Sequence, residues 1–247
     1  MQTEPRKQVN VLIAIQARST STRFPQKIFK LIDKKSMLTH VIDRSKDCQF
    51  YIERPSNKIG IKVQIAILHP EGDNQIVSEF RNKGVVLISG DEQDVLSRYF
   101  KACDVIQPDY IVRLTSDCPL IPSGLISKHI NTAVHNSLDY VNNVDEKCRL
   151  IADGHDCEVL SMKAVDWLRE NAKTDEQKEH VTLAIRQAHG HNGLLCGFVA
   201  TQFDTSKIKL SVDTPEDLEF VRAFYHSREY KKSLASNLYG RKYIYEY

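Results

Sequence analysis

With 247 residues, 41% of them hydrophobic and 27% charged, the chain has the size and composition of a globular protein with a substantial core, which excludes fibrous and low-complexity classes. Thirty-four Lys and Arg against 32 Asp and Glu leave a formal net charge of +2, too balanced for a general nucleic-acid surface, so any anion site is local. The polar start, MQTEPRKQVN, and the lack of an apolar run of membrane-spanning length point to a cytosolic chain with neither nucleic acid nor membrane as partner.

Val11-Leu12-Ile13-Ala14-Ile15 reads as a strand buried on both faces. It turns abruptly into a hydroxyl-rich loop carrying Arg18, Arg23 and Lys27 with no acid among them, stiffened by Pro25. Guanidinium and ammonium groups beside serine and threonine hydroxyls at a strand's carboxyl end suit polyphosphate, with a solvated basic loop as the alternative. A helix is expected over Ser36 to Lys46 with Ser36 as N-cap, then a strand from Ile61 to Leu68 broken by His69-Pro70-Glu71-Gly72. A helix from Asp73 to Lys83 ends at Gly84, and Val85 to Ile88 makes a third strand. This alternation predicts an α/β fold with a mostly parallel, helix-flanked sheet. A helix over Glu92 to Ile106, a strand from Tyr110 to Thr115 and a helix over Ser123 to Asn136 extend the pattern.

From Tyr140 to Cys157 the composition is that of an excursion from the sheet. Helical spacing resumes over Ser161 to Asn171 and Asp175 to His189, with late strands at Leu194 to Thr201 and Ile208 to Val212. A helix through Tyr225 follows, with Thr214 as N-cap, Pro215 at its first position and Asp217 closing a capping box. The tyrosine-rich tail from Ser227 suits packing or a partner surface. Six scattered cysteines without a C-x-x-C pair read as reduced thiols, and His189-Gly190-His191 as a surface turn rather than a metal site.

Two acids stand apart. Asp117 follows one strand and Asp213 another, each at an edge where open α/β sheets bind ligands. Each alone also reads as a turn or cap residue, but two carboxylates facing three cations suit a bridging magnesium ion and a phosphate-bearing ligand.

The chain resembles the cytidylyltransferases that make CMP-activated sugars, most nearly their spore-coat polysaccharide, SpsF-type branch. The resemblance rests on QARSTSTRFPQK, SGDEQDVLSRYFKA, VRLTSDCPLI, DGHDCEV, KEHVT and SVDTPEDLEFV, in order over most of the chain. It implies a Rossmann-like domain with a small inserted dimerisation arm at about 140–160, a homodimer, and Mg2+-dependent transfer of CMP from CTP to a sugar acid in surface-polysaccharide or glycoconjugate synthesis. Carried over by residue, it implies that Arg18, Arg23 and Lys27, with Ala17 and Ser21, hold the nucleotide phosphates and that Asp117 and Asp213 hold the metal. It puts Gly90, Asp94 and Arg98 near base and ribose, and Arg113, Asp156, Glu158 and His180 in the acceptor pocket. The family's loop often has glycine where this chain has Thr20 and Gln26, and arginine where it has Lys178; Thr20 implies weaker nucleotide binding or another loop path. A non-catalytic nucleotide-binding subunit and a metal-dependent glycosyltransferase are the alternatives, although Thr115-Ser116-Asp117 supplies only one acid of an Asp-x-Asp. An NAD-dependent dehydrogenase lacks its G-x-G-x-x-G.

Overall fold

The computed structural model describes residues 7–52, 59–146, 149–188, 193–199, 204–228, 230 and 242–243. The opening apolar run is the middle of β1 (Lys7–Gln16), which a short hairpin, β2 (Leu31–Ile32) and β3 (Lys35–Ser36), separates from α1 (Met37–Asp47). The Ser36 hydroxyl caps α1 by accepting the Thr39 N–H. There follow β4 (Ile59–Pro70), α2 (Asn74–Phe80), β5 (Val86–Gly90), α3 (Val95–Ile106), β6 (Tyr110–Thr115) and α4 (Ser123–His135). The second half adds β7 (Tyr140–Asn142), β8 (Glu158–Ser161), α5 (Met162–Asn171), α6 (Asp175–Glu179), α7 (Leu183–Gln187), β9 (Cys196–Val199), α8 (Pro215–His226) and β10 (Lys242–Tyr243).

Among the described residues the main sheet has eight strands in the order β10-β9-β7-β8-β6-β1-β4-β5. Pairings within β5-β4-β1-β6 are all parallel, whereas β8 runs antiparallel to both β6 and β7. The chain steps outward from β1 to β4 and β5, then crosses to β6 on the other side of β1. That reversal opens a crevice at the carboxyl ends of β1 and β6.

Alternation along β1 divides the core. Val11, Ile13 and Ile15 pack under α1, α2 and α4, while Leu12 and Ala14 face α3, α5 and α7. A third cluster, with Ile32, Met37, Leu120, Leu210, Val212, Leu218 and Val221, seats α8 and the segment before it.

Four expectations are corrected. His69-Pro70 does not break β4, because His69 pairs with Ser89 and Pro70 with Gly90, and the Glu71 N–H then reaches the Gly90 carbonyl at 2.8 Å. The segment from Tyr140 is not wholly off the sheet: Tyr140–Asn142 and Glu158–Ser161 are buried strands flanking an irregular loop. The helix expected over Asp175 to His189 is two, since Val181 takes a left-handed φ of 53° between α6 and α7. Residues 208–212 form no strand, only an isolated bridge between Asp153 and Lys209. His189-Gly190-His191 lies outside the described residues, as does most of the tail; the five described cysteines are free.

Candidate active site

The loop after β1 is pinned near its start. Ser19 donates its N–H to Asp73 Oδ2 at 2.9 Å, and the Thr20 hydroxyl donates to Glu92 Oε1 at 2.5 Å. Gln26, at the other position where the family favours glycine, takes a left-handed φ of 56° and opens a short 3-10 turn beginning at Lys27. Glycine adopts that conformation freely, which accounts for the preference.

From this turn Lys27 reaches across the crevice. Its Nζ lies 3.0 Å from Asp117 Oδ2, 3.3 Å from Asp213 Oδ1 and 2.8 Å from the Val212 carbonyl oxygen. Arg23 Nη2 approaches the same Asp213 oxygen at 3.4 Å. The two acids meet because the Val212 N–H bonds to the Asp117 carbonyl at 2.9 Å, joining positions almost a hundred residues apart. Thr214 and Asp217 form the expected capping box of α8, and Asp217 Oδ2 also accepts the Asp213 N–H at 2.9 Å. The Asp213 carboxylate lines the crevice, with its second oxygen, Oδ2, paired with Lys209 Nζ at 3.3 Å. Burial opposes ionisation of Asp117, but the Lys27 ammonium outweighs it and holds the carboxyl below the usual carboxylate range.

A cavity of about 460 Å³ opens here, within the range of small-molecule sites. Of the residues singled out from sequence, Ala17, Arg18, Ser21, Arg23, Lys27, Arg98, Arg113, Asp117, His180 and Asp213 line it. Gly90, Asp94, Asp156 and Glu158 do not. Gly90 makes room for Arg98, whose Cγ would lie 2.8 Å from any Cβ there. Asp94 caps α3 by accepting the Ser97 N–H. Asp156 pairs with Arg149 at 2.5 Å; burial, reinforced by Asp153 and Glu158, pushes its carboxyl up to about 6 although Arg149 pulls the other way. Glu158 lies beneath the cavity and pairs with Arg113 at 2.5 Å.

Sequence reading missed Gln16, Glu92, Asp175 and Glu179, all cavity-lining. Glu92 sits two residues past a strand end, a signal available in sequence. Asp175 and Glu179 come in only because α6 packs on α3.

Among the described residues no cluster of three or more His, Cys, Asp or Glu is arranged for a metal. Two hard carboxylates sharing one cation nevertheless fit Mg2+, which takes one or two protein carboxylates and completes its shell with phosphate oxygens and water.

The profile of the cytidylyltransferase family matches residues 12–242. The chain belongs to the cytidylyltransferase family. It is 27% identical over 216 residues to the spore coat polysaccharide biosynthesis protein SpsF of Bacillus subtilis, covering 87% of this chain and 86% of that one. The structure superposes on a cytidylyltransferase from Leptospira borgpetersenii with a TM-score of 0.77 at 25% identity, over 96% and 99% of the two chains. CMP:2-keto-3-deoxy-manno-octonic acid synthetase complexed with CTP shares the fold at a TM-score of 0.61 and 15% identity, over 88% and 98%. This cytidylyltransferase is thus a nucleotidyltransferase whose cationic loop, two acids and switch-point crevice converge. Thr20 and Gln26 are accommodated by a bond to Glu92 and a left-handed turn, so the loop closes without those glycines.

Proposed function

We propose that this cytidylyltransferase transfers CMP from CTP to a sugar acid, with Mg2+, in the cytosol and on the way to a surface polysaccharide or glycoconjugate. The observation that carries the reading is the meeting of Lys27, Asp117 and Asp213 at one edge of a cavity whose remaining cations are Arg18, Arg23, Arg98 and Arg113. An acceptor hydroxyl oxygen bonds to the α-phosphorus of CTP while the bond to the bridging oxygen breaks; pyrophosphate leaves with that electron pair, and the hydroxyl proton passes to solvent. The protein's part is positioning and charge neutralisation.

Arg18 and Arg23, both exposed at the mouth, meet the entering triphosphate first. The triphosphate offers Lys27 an anion in place of its two carboxylates, and Lys27 then neutralises the departing pyrophosphate. Mg2+ held by Asp117 and Asp213 would draw negative charge off the phosphate oxygens. Arg113 and His180 line the same cavity and are the residues this reading assigns to the acceptor, since a guanidinium fork suits a carboxylate. The likeness to a synthetase named for a 3-deoxy sugar acid favours that class.

Pyrophosphate release from CTP or UTP with a panel of sugars bearing or lacking a carboxylate tests the reading. Turnover is expected with CTP and carboxylate-bearing acceptors; preference for UTP or neutral sugars would reject it. The reading also makes the chain a homodimer through the loop between β7 and β8, where Leu150 and nearby Ile208 are partly exposed. Sedimentation as a monomer at micromolar concentration would reject the dimer.

A further inference from the structure

Glu158 is completely buried, yet its carboxylate gathers three donors from three parts of the chain. Arg113 Nη1 donates to Oε2 at 2.5 Å; the Tyr140 hydroxyl at 2.5 Å and the Thr182 hydroxyl at 2.6 Å both donate to Oε1. Arg113 and Glu158 are direct cross-strand partners on β6 and β8. Tyr140 and Thr182 are themselves buried and face no ligand space. Arg113, by contrast, lines the cavity; its Nε is buried without a hydrogen-bond partner among the described residues, which leaves the remaining Nη N–H groups to meet a ligand. Thr182 follows Val181, whose left-handed φ is strained for a β-branched residue, and His180, which lines the cavity.

We infer that Glu158, braced by Tyr140 and Thr182, is a positioning residue that locks the Arg113 guanidinium so that its free N–H groups present a fixed fork to the acceptor's carboxylate. This rests on the acceptor reading above. Glu158 touches no substrate; it spends its oxygens holding one end of the fork and tying the His180 turn to it. A guanidinium fixed this way loses less freedom on binding a planar anion than one free to rotate.

The full-length chain labelled with 15N-arginine tests this. In the wild type, restricted rotation keeps the Arg113 Nη resonances separate, and 3-deoxy-manno-octulosonate, used as the probe acceptor beside bound CTP, shifts them. Thr182→Val and Tyr140→Phe, close isosteres that keep the fold, are expected to merge those resonances and weaken probe affinity about tenfold while CTP affinity stays within twofold. Thr182→Ser restores both. Glu158→Gln gives the largest loss, and the two milder variants decide the matter if it does not fold. Wild-type Arg113 spectra and probe affinity in Thr182→Val would overturn the positioning role. Resonances that loosen in Thr182→Val, recover in Thr182→Ser, but never respond to the probe uphold that role and overturn the acceptor reading.

Discussion

In the free chain the Lys27 ammonium does for Asp117 and Asp213 what a divalent cation does in a phosphate site: it sits between two carboxylates and cancels their repulsion. Removing it should therefore act twice. On the proposed reading, Lys27→Ala would lose the pyrophosphate contact and Asp117→Ala a metal-holding oxygen; each variant is expected to fold and to release pyrophosphate about 10²–10³ times more slowly. Near-normal turnover in both defeats the assignment. The second effect is on stability. A carboxyl depressed by a cation stabilises the fold above its unfolded value and loses that advantage as pH falls through its folded value. The stability gap between wild type and Lys27→Ala, read from urea midpoints, should narrow below about pH 4. Arg18, Arg23, Lys27 and Asp117 were legible in the sequence because they follow strand ends and carry the charge type a phosphate site needs; Asp213 was found by the same rule although the extended segment before it, 208–212, is not a strand. The role of Glu158 was not, since its partner Arg113 is set by antiparallel register 45 residues away.

Elements whose boundaries are written locally were legible: Ser36 before α1, Ser161 before α5 and Thr214 before α8 each cap the helix they precede, and Pro215 opens α8. Elements decided by tertiary contact were not. Residues 208–212 look like a strand but are held as an extended segment by Asp153, which takes the Leu210 N–H at 2.6 Å and gives its own N–H to Ile208 at 3.0 Å. Gly154 makes that approach possible. With φ at 99°, a Cβ there would lie 2.3 Å from Ser211 N and 2.4 Å from Leu210 C. Gly154→Ala should thus push the 210–212 segment outward, costing on the order of 3 kcal/mol or more and displacing Asp213 from Lys27. Gly193→Ala is the control: its φ is also left-handed, at 66°, but nothing lies within 4 Å of the added carbon. Only backbone strain of about 1 kcal/mol is expected there. Equal denaturant midpoints for the two variants would show that the close approach contributes nothing.

At the scale of the whole molecule, the cavity draws on residues from Gln16 to Asp213, so a ligand filling it joins parts of the chain that meet only in the folded state. The central strand and the β-α alternation were readable from hydrophobic runs, but not the return of β8 antiparallel beside β6, which carries Glu158 under the site. A ligand that binds only the native state stabilises it by about 2.7 kcal/mol at a hundredfold excess over Kd. For a chain of this length that corresponds to a rise in Tm of roughly 5–10 °C. CTP with Mg2+ should produce such a shift. Mg2+ alone should produce almost none, because Lys27 already pairs with both carboxylates, Arg23 and Lys209 pair with Asp213 as well, and no phosphate is present to draw these cations away. Asp213→Asn should reduce the combined shift while retaining a smaller one for CTP without metal, as the cations at the mouth and the crevice remain. Differential scanning calorimetry across the four conditions checks the argument. A full shift from Mg2+ alone, or an undiminished combined shift in Asp213→Asn, would mean that the two acids do not share their charge with Lys27 and the nucleotide in the way the geometry requires.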